Sequence, residues 1–496
     1  MKRSAGIILP ISSLPSPYGI GTLGAAAREF VDFLAAANQT WWQVLPVGPT
    51  SFGDSPYQSP SAFAGNTYFI DLDELVEDDL LTKDEVEGVS WGDDPMRVNY
   101  ARIFELRGNL LHRAYQRGWE RDAEKVAAFA EKNAEWLDDY ALFMSVKRHF
   151  KRVSWIDWPE EDIRLHKPEA VARYRELLAD DVNYNVYVQF LFYRQWEALR
   201  AYAHEHGVSL MGDLPIYVAL DSADVWASPE MFQLDERNVP VEVAGVPPDA
   251  FTAEGQLWGN PLYDYEAMEA DGFGWWIRRI AGAGRLYDAI RIDHFRGFES
   301  YWAVPYGEKT AKVGRWVKGP GMKLVGTLTS WFPELSFIAE DLGYATPEVA
   351  QLLADSGFPG MKVLEFAFDA RDAAGSSYLP HAYTPHCVCY VGTHDNATIA
   401  QWRDEADPAD VKLATSYLGL SDEEGFNWGF IRGGMASVAE LFVAQMQDYL
   451  GLGAQARINT PGTLGDNWQW RLLPGQATPK LAKRIATMTK MYGRSA

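Results

Sequence analysis

The sequence predicts a (β/α)8 TIM barrel, and three observations lead to this fold class. Eight short apolar runs have the composition of buried strands, and helical or inserted segments separate them. The fourth, fifth and seventh runs each lead into an acid at the C-terminal end, namely Asp293, Glu340 and Asp395. Parallel barrels build their active sites from residues at the C-terminal ends of several strands.

The eight predicted strands are short and mostly apolar. We place them at 5–11, 40–47, 209–218, 289–295, 336–339, 361–368, 388–391 and 456–459. Helical patterns at 348–356 and 430–450 lie between the later strands. The sequence contains no repeat of fixed period and no linker, so residues 1–496 are expected to form a single barrel unit with insertions.

Two long insertions are expected on this barrel. Apolar residues recur at helical spacing through about 72–207, which predicts a helical subdomain between the second and third strands. The segment at about 221–288 is rich in Gly, Pro and Trp and lacks a strong period. Long irregular loops of this kind are more often functional than structural, so we expect this insertion between the third and fourth strands to cover a substrate.

Composition limits the classes of partner. The chain has a formal net charge of −23, which disfavours binding to nucleic acid phosphates or to anionic membranes and suits a neutral ligand. The 19 Trp could stack on sugars, although a large core accounts for them more simply. Cys387 and Cys389 are expected to be small buried residues. No signal peptide or spanning segment is visible, so a cytoplasmic location is expected.

A glycine motif at 19–24 has the G-x-G-x-x-G spacing of dinucleotide-binding folds. Several residues and prolines separate it from the preceding strand, and the second strand does not end in an acid. We therefore interpret these glycines as positions where a loop passes close to a ligand or to another backbone segment.

The acids at the strand ends have the residue types needed to cleave a glycoside, which requires two carboxyl groups flanking the bond. Asp293 fits the ionised partner, because Arg291 shares its strand face and favours the charged form. Glu340 fits the proton donor, since the neighbouring carboxylates of Asp341 and Asp293 would raise its pKa. Asp395, beside His394, could bond sugar hydroxyls. Structural ion pairs, helix caps and a divalent-metal site are the alternatives, although no H-E-x-x-H spacing supports a metal.

The chain resembles the amylomaltases, the 4-α-glucanotransferases or disproportionating enzymes of glycoside hydrolase family 77. The resemblance extends over essentially the whole length, and its motifs are highly specific in combination. The matching stretches are 13–21, 53–66, 212–218, 255–261, 291–297, 338–343, 392–396 and 459–463.

The resemblance implies retaining double displacement on α-1,4-glucans such as maltooligosaccharides, starch and glycogen-derived chains. Asp293 would attack the anomeric carbon, Glu340 would act as acid and then base, and Asp395 would stabilise the transition state. The residues implied to bind substrate are Tyr57, Asp213, Asp249, Gln256, Trp258, Arg291, His394 and Asn467. The loop that carries Gln256 and Trp258 would be a lid.

The resemblance implies no cofactor, no metal and no obligate protein partner. One departure is Tyr265, where the family often has Trp, and this change could alter the packing of the lid. Two other functions stay open. A hydrolase of the same barrel class would use water as acceptor, and a catalytically inactive starch-binding protein would lack turnover.

Overall fold

The computed structural model describes residues 2–248, 252–343, 346–371 and 376–495, and within them eight parallel strands close into a barrel. The barrel strands are β1 Ser4–Ile8, β2 Trp41–Gln43, β3 Ser209–Leu214, β4 Ala289–Ile292, β5 Ser336–Ala339, β6 Gly360–Val363, β7 Cys387–Tyr390 and β8 Leu441–Gln445. Each strand pairs with its neighbours in chain order, and β8 pairs with β1. The predicted (β/α)8 fold is confirmed.

Apolar side chains from the strands fill the inside of the barrel. Ten buried residues that all belong to barrel strands pack together there: Ile8, Met211, Ala289, Ile338, Met361, Val363, Val388, Tyr390, Leu441 and Val443. A larger buried cluster fills the space between strands and helices. The inner cluster supports the strand ends from below, so the loops that follow them start from fixed positions.

Eight helices lie between β2 and β3. They are Leu72–Glu77, Lys83–Glu87, Tyr100–Gly118, Ala123–Lys132, Leu137–His149, Glu161–Arg164, Pro168–Leu177 and Ala179–Glu205. The last and longest contacts the helices Tyr100–Gly118, Ala123–Lys132 and Leu137–His149, and it also packs on β3. Its buried residues occur all round its axis, because neighbours surround it on several sides.

The other helices surround the barrel or connect its strands. They are Ala25–Ala36, Ala223–Ala227, Tyr265–Ala270, Gly274–Leu286, Met322–Trp331, Pro347–Ser356, Ile399–Glu405, Pro408–Leu418, Phe426–Ala436, Met446–Leu450 and Pro479–Met491. In the described part of the chain, no helix combines the length and the apolar character needed to cross a lipid bilayer.

A small antiparallel sheet stands beside the barrel and corrects one prediction. Its strands, in spatial order, are Gln256–Pro261, Glu242–Val246, Ser300–Pro305 and Arg315–Lys318. The segment 255–261, expected to be an irregular loop, is therefore largely a strand. The sequence pattern did not reveal this strand, because its pairing with Glu242–Val246 includes a register shift and the sheet also contains strands that lie far along the chain. Tyr265 packs against Tyr301 of this sheet, with ring centroids 6.1 Å apart.

The position predicted for the eighth strand was wrong. The strand is Leu441–Gln445, inside the stretch 430–450 that was expected to be helical, and 456–459 lies in the loop that follows it. Its first four residues are all apolar and all five are buried, so the strand shows no alternation, and helices flank it closely on both sides. Six other strands end earlier than predicted, because the chain turns there into loops over the barrel. Their last residues are Ile8, Gln43, Leu214, Ile292, Val363 and Tyr390.

The glycines of the motif at 19–24 allow the loop to pass close to neighbouring parts of the chain. A Cβ atom at Gly21 would lie 1.7 Å from the carbonyl oxygen of Ile11, and one at Gly24 would lie 2.2 Å from the carboxyl carbon of Asp71. Only glycine fits at these positions. Cys387 and Cys389 are buried free thiols on β7, and burial raises the pKa of each.

Candidate active site

Asp293 and Glu340 lie next to each other at the C-terminal rim of the barrel. In the parallel pairing of β4 with β5, Ile292 stands opposite Ala339, so the next residue on each strand is one of the two acids. The amide of Glu340 donates to the carbonyl of Ile292 at 3.0 Å. Adjacent strands are only about 4.8 Å apart, so this register brings the two carboxyl groups into one site.

The Glu340 carboxylate is fixed by two main-chain donors. The N–H of His294 donates to Oε2 at 2.8 Å, and the N–H of Leu342 donates to Oε1 at 2.8 Å. His294 can direct its amide there because it has a left-handed backbone conformation, with φ of 53°. Burial raises the pKa of Glu340 to about 7, Arg291 lowers it, and Asp293 raises it.

Arg291 is almost fully buried and bonds two acids. Its Nη1 donates to both oxygens of Asp213 at 2.7 Å and to Oδ1 of Asp293 at 3.0 Å. Burial raises the pKa of Asp293 to about 6, although Arg291 opposes this shift. The expected effect of Arg291 on Asp293 is therefore present, but desolvation is larger.

The predicted cause of the Glu340 shift needs one correction. Asp341 was among the acids expected to raise it, yet its Oδ1 accepts a hydrogen bond from the amide of Met361 at 2.7 Å. Burial is the main cause instead, and Asp293 supplies the like-charge repulsion.

Tyr57 and His394 complete a polar wall around Asp213. The Tyr57 hydroxyl lies 2.9 Å from Oδ2 of Asp213 and 2.8 Å from Nε2 of His394, and the Tyr57 and His394 rings stack at 5.3 Å. Burial raises the pKa of Tyr57, so its hydroxyl keeps its single proton. Since Asp213 can only accept when ionised, that proton goes to Asp213, and we assign the His394 proton to Nε2.

Asp395 follows β7 and has a more exposed side chain than Asp293, at 39% against 28%. Its Oδ1 accepts a hydrogen bond from Nδ2 of Asn459 at 2.6 Å and lies 3.3 Å from Nε2 of His394. Asn459 was absent from the predicted site. Its neighbours were assigned to a strand, whereas they lie in the loop after β8, which contacts this rim.

Trp258 lies beside His294, the residue whose amide donates to Glu340. The Trp258 ring meets the His294 ring edge-on, with centroids 4.8 Å apart. Burial lowers the pKa of His294 to about 3, so this ring is neutral. Gln256 accepts a hydrogen bond from Nε1 of Trp258 at 3.2 Å. The strand of the small sheet thus brings Trp258 to the rim, and Gln256 steadies it.

The remaining two residues predicted to bind substrate are Asn467 and Asp249. Asn467 uses its amide within its own loop, where Oδ1 accepts from the amide of Thr460 at 2.9 Å and Nδ2 donates to the carbonyl of Thr463 at 2.9 Å. Asp249 lies outside the described residues. The sequence reasoning also missed the main-chain amides of His294 and Leu342, which donate to Glu340. Because these donors belong to the backbone, no side-chain pattern could have revealed them.

Comparison with known proteins decides the family. The 4-alpha-glucanotransferase family matches residues 9–476 of this chain. The chain belongs to the 4-alpha-glucanotransferase family. The 4-alpha-glucanotransferase of Clostridium butyricum is 49% identical over 98% of this chain and 99% of its own. That of Thermus thermophilus is 46% identical over 100% of this chain and 99% of its own.

A solved structure of a 4-alpha-glucanotransferase relative agrees over the whole fold. Amylomaltase from Streptococcus agalactiae, in complex with acarbose, is 40% identical, and the two chains cover each other completely with a TM-score of 0.97. The resemblance noted from the motifs is thereby confirmed, and the chain is an enzyme of the transferase class.

Proposed function

We propose that this enzyme transfers segments of α-1,4-glucan between maltooligosaccharides, or between starch or glycogen-derived chains, by retaining double displacement. One observation carries the proposal: Oε2 of Glu340 lies 2.8 Å from the nitrogen of the peptide that joins Asp293 to His294. Retaining glycosidases hold their two carboxyl groups about 5–5.5 Å apart, whereas inverting ones need about 6.5–9.5 Å. Because Glu340 is hydrogen-bonded to the peptide next to Asp293, the structure supports the shorter carboxyl separation of retaining enzymes.

In the first half of the reaction, Asp293 attacks the anomeric carbon while Glu340 gives its proton to the glycosidic oxygen. The carbon–oxygen bond breaks, the shortened glucan leaves with the proton, and an ester joins the sugar to Asp293. The bond from Arg291 favours the ionised form of Asp293, as a nucleophile requires.

In the second half, the ionised Glu340 takes the proton of the 4-hydroxyl of an incoming glucan. The hydroxyl oxygen attacks the anomeric carbon, a new α-1,4 bond forms, and the Asp293 carboxylate is released. A carboxyl group with a pKa of about 7 suits both steps, since it exchanges its proton near neutral pH.

The other polar groups surround the transferred sugar. Asp395 would stabilise the positive charge that develops on the ring, because a carboxylate attracts an oxocarbenium-like centre. Asp213, Arg291, His394 and Tyr57 form the wall that would bond its hydroxyls. Their mutual hydrogen bonds fix these side chains before a ligand enters, which lowers the cost of ordering them.

Acceptor choice would depend on the segment around Gln256 and Trp258. We infer that it closes over the acceptor side, so that a glucan reaches the covalent intermediate in preference to water. Asp249 and Asn467 remain proposed substrate contacts. A neutral glucan suits a strongly acidic protein, and acarbose, the ligand of the Streptococcus relative, is a related oligosaccharide. No cofactor or metal is proposed.

Maltotriose tests this proposal. We expect glucose and longer oligomers with a constant number of reducing ends, whereas a hydrolase would increase the reducing ends. Asp293→Asn should abolish both outcomes. Asp404→Asn is the matched control, since this exposed helix residue forms its ion pair with Arg403 on the surface. Parent protein without turnover would contradict the proposal.

A further inference from the structure

The loop after β8 carries Arg457 and Asn459, beyond the helix Met446–Leu450. It contacts the loop that carries Asp395 through two side chains and one main-chain amide. Nδ2 of Asn459 donates to Oδ1 of Asp395 at 2.6 Å. Nη2 of Arg457 donates to the main-chain carbonyl of Asp395 at 2.8 Å. The N–H of Asn459 donates to the carbonyl of His394 at 3.1 Å. Side chain and main chain of Asp395 are thus held from the same loop.

Asn459 is itself held in place. Its carbonyl accepts a hydrogen bond from Nε of Arg457 at 2.8 Å, and the residue is largely buried. Arg457 therefore spans both loops, with one nitrogen on the carbonyl of Asn459 and another on that of Asp395. The amide of Asn459 is therefore presented to Asp395 from a fixed backbone, and only the side-chain torsions of Asn459 are ordered when the hydrogen bond forms.

Asp395 needs such support more than the other acids do. Asp293 has Arg291 and Glu340 has two amides, whereas Asp395 lies on a loop with a partly exposed side chain. A carboxylate there would rotate freely without a fixed donor. Among the described residues, the donors that reach its side chain are Asn459 and, at a longer distance, His394.

We propose that Asn459 is a positioning residue for Asp395 and that Arg457 fixes the main chain beneath it. This inference rests on the proposed role of Asp395 in the transition state. The Asn459 amide holds Oδ1, so that Oδ2 faces the sugar.

A change of Asn459 to aspartate supplies a sharp test. It would place two carboxyl groups within hydrogen-bond distance, and such a pair shares one proton. The charged or titratable groups around Asp395 are His394 and Arg457 and, through space, Asp293 and Tyr57. At low pH the shared proton restores a hydrogen bond to Asp395. At high pH both groups ionise and repel each other.

The experiment compares kcat, KM and the pH dependence of maltotriose disproportionation in the full-length enzyme. We expect Asn459→Ala to lower kcat about 10- to 100-fold, the loss typical for a hydrogen bond to a charged group, with KM nearly unchanged. Asn459→Asp should follow the parent on the acidic limb of the pH profile and lose activity at a lower pH than the parent on the basic limb. Asn185→Ala, which removes an amide bonded inside the helical insertion, should leave kcat unchanged.

The inference is overturned if Asn459→Ala keeps the kcat of the parent. It is also overturned if Asn459→Asp keeps the pH profile of the parent. The aspartate variant keeps the test valid if the alanine variant does not fold, because it preserves the side-chain volume. Asp395→Asn is measured alongside: if this variant keeps full turnover, the proposed role of Asp395 is wrong and the inference fails with it. If it loses turnover while Asn459→Ala does not, the inference alone is wrong.

Discussion

Removing one oxygen atom from Tyr57 tests the polar wall of the site. In this structure the hydroxyl lies between Asp213 and His394, at 2.9 and 2.8 Å. Tyr57→Phe keeps the ring that stacks on His394 but removes both hydrogen bonds. Asp213 keeps its two contacts with Arg291, so the charge of its carboxylate stays paired.

The size of the effect follows from the bond that is lost. A hydrogen bond to a charged group contributes about 1.5–3 kcal/mol. Since about 1.4 kcal/mol corresponds to a factor of ten, we expect kcat/KM to fall about 10- to 150-fold. Most of the loss should appear in kcat, because Asp213 and His394 would both lose their fixed orientation around the reacting sugar.

The assay is the initial rate of glucose release from maltotriose, with the melting temperature measured in parallel. Tyr383→Phe is the matched control, because this buried tyrosine donates to the carbonyl of Tyr378 at 2.7 Å and touches none of the acids. It should lower the melting temperature without changing kcat. Unchanged kcat/KM in Tyr57→Phe, or equal losses of kcat in both variants, would refute the reasoning.

Three further predictions concern pH and acceptor choice. The profile of kcat/KM against pH should be bell-shaped, rising as Asp293 ionises with its pKa of about 6 and falling as Glu340 loses its proton near 7; a flat profile would contradict these roles. Burial raises the pKa of Asp448 to about 7, so its ionisation opposes folding increasingly as the pH rises from about 4, where the unfolded chain ionises, to about 7. Asp448→Asn should therefore raise stability at pH 8.5 by at most about 4 kcal/mol, and by much less at pH 4.5, in denaturant titrations. Trp258→Ala should increase the ratio of reducing ends to transfer products from maltotriose, and an unchanged ratio would exclude Trp258 from water exclusion.

The sequence predicted the acids of the site that directly follow a barrel strand. Asp293 and Glu340 were predictable as partners because each ends a short apolar run and parallel strands share one edge. Their surroundings were only partly predictable. The donors to Glu340 are amides of His294 and Leu342, and their positions depend on a left-handed backbone turn that the side-chain pattern does not encode.

The errors have one physical origin, which is tertiary pairing that overrides local pattern. Leu441–Gln445 is a strand because β7 and β1 accept it on either side, although its neighbours along the chain are helical. Gln256–Pro261 is a strand because Glu242–Val246 pairs with it. Misplacing the eighth strand also concealed Asn459, whose contact with Asp395 depends on the loop after the true strand.

The most direct test of the double displacement is to trap the sugar on the enzyme. We would incubate Glu340→Gln with an α-maltosyl fluoride that lacks its non-reducing 4-hydroxyl, so that the donor reacts without acid catalysis and cannot act as acceptor. Intact mass and peptide mapping should then show one deoxymaltosyl group bonded to Asp293. A sugar bonded to another residue, or turnover without any adduct and with the inverted β-deoxymaltose as product, would contradict the mechanism.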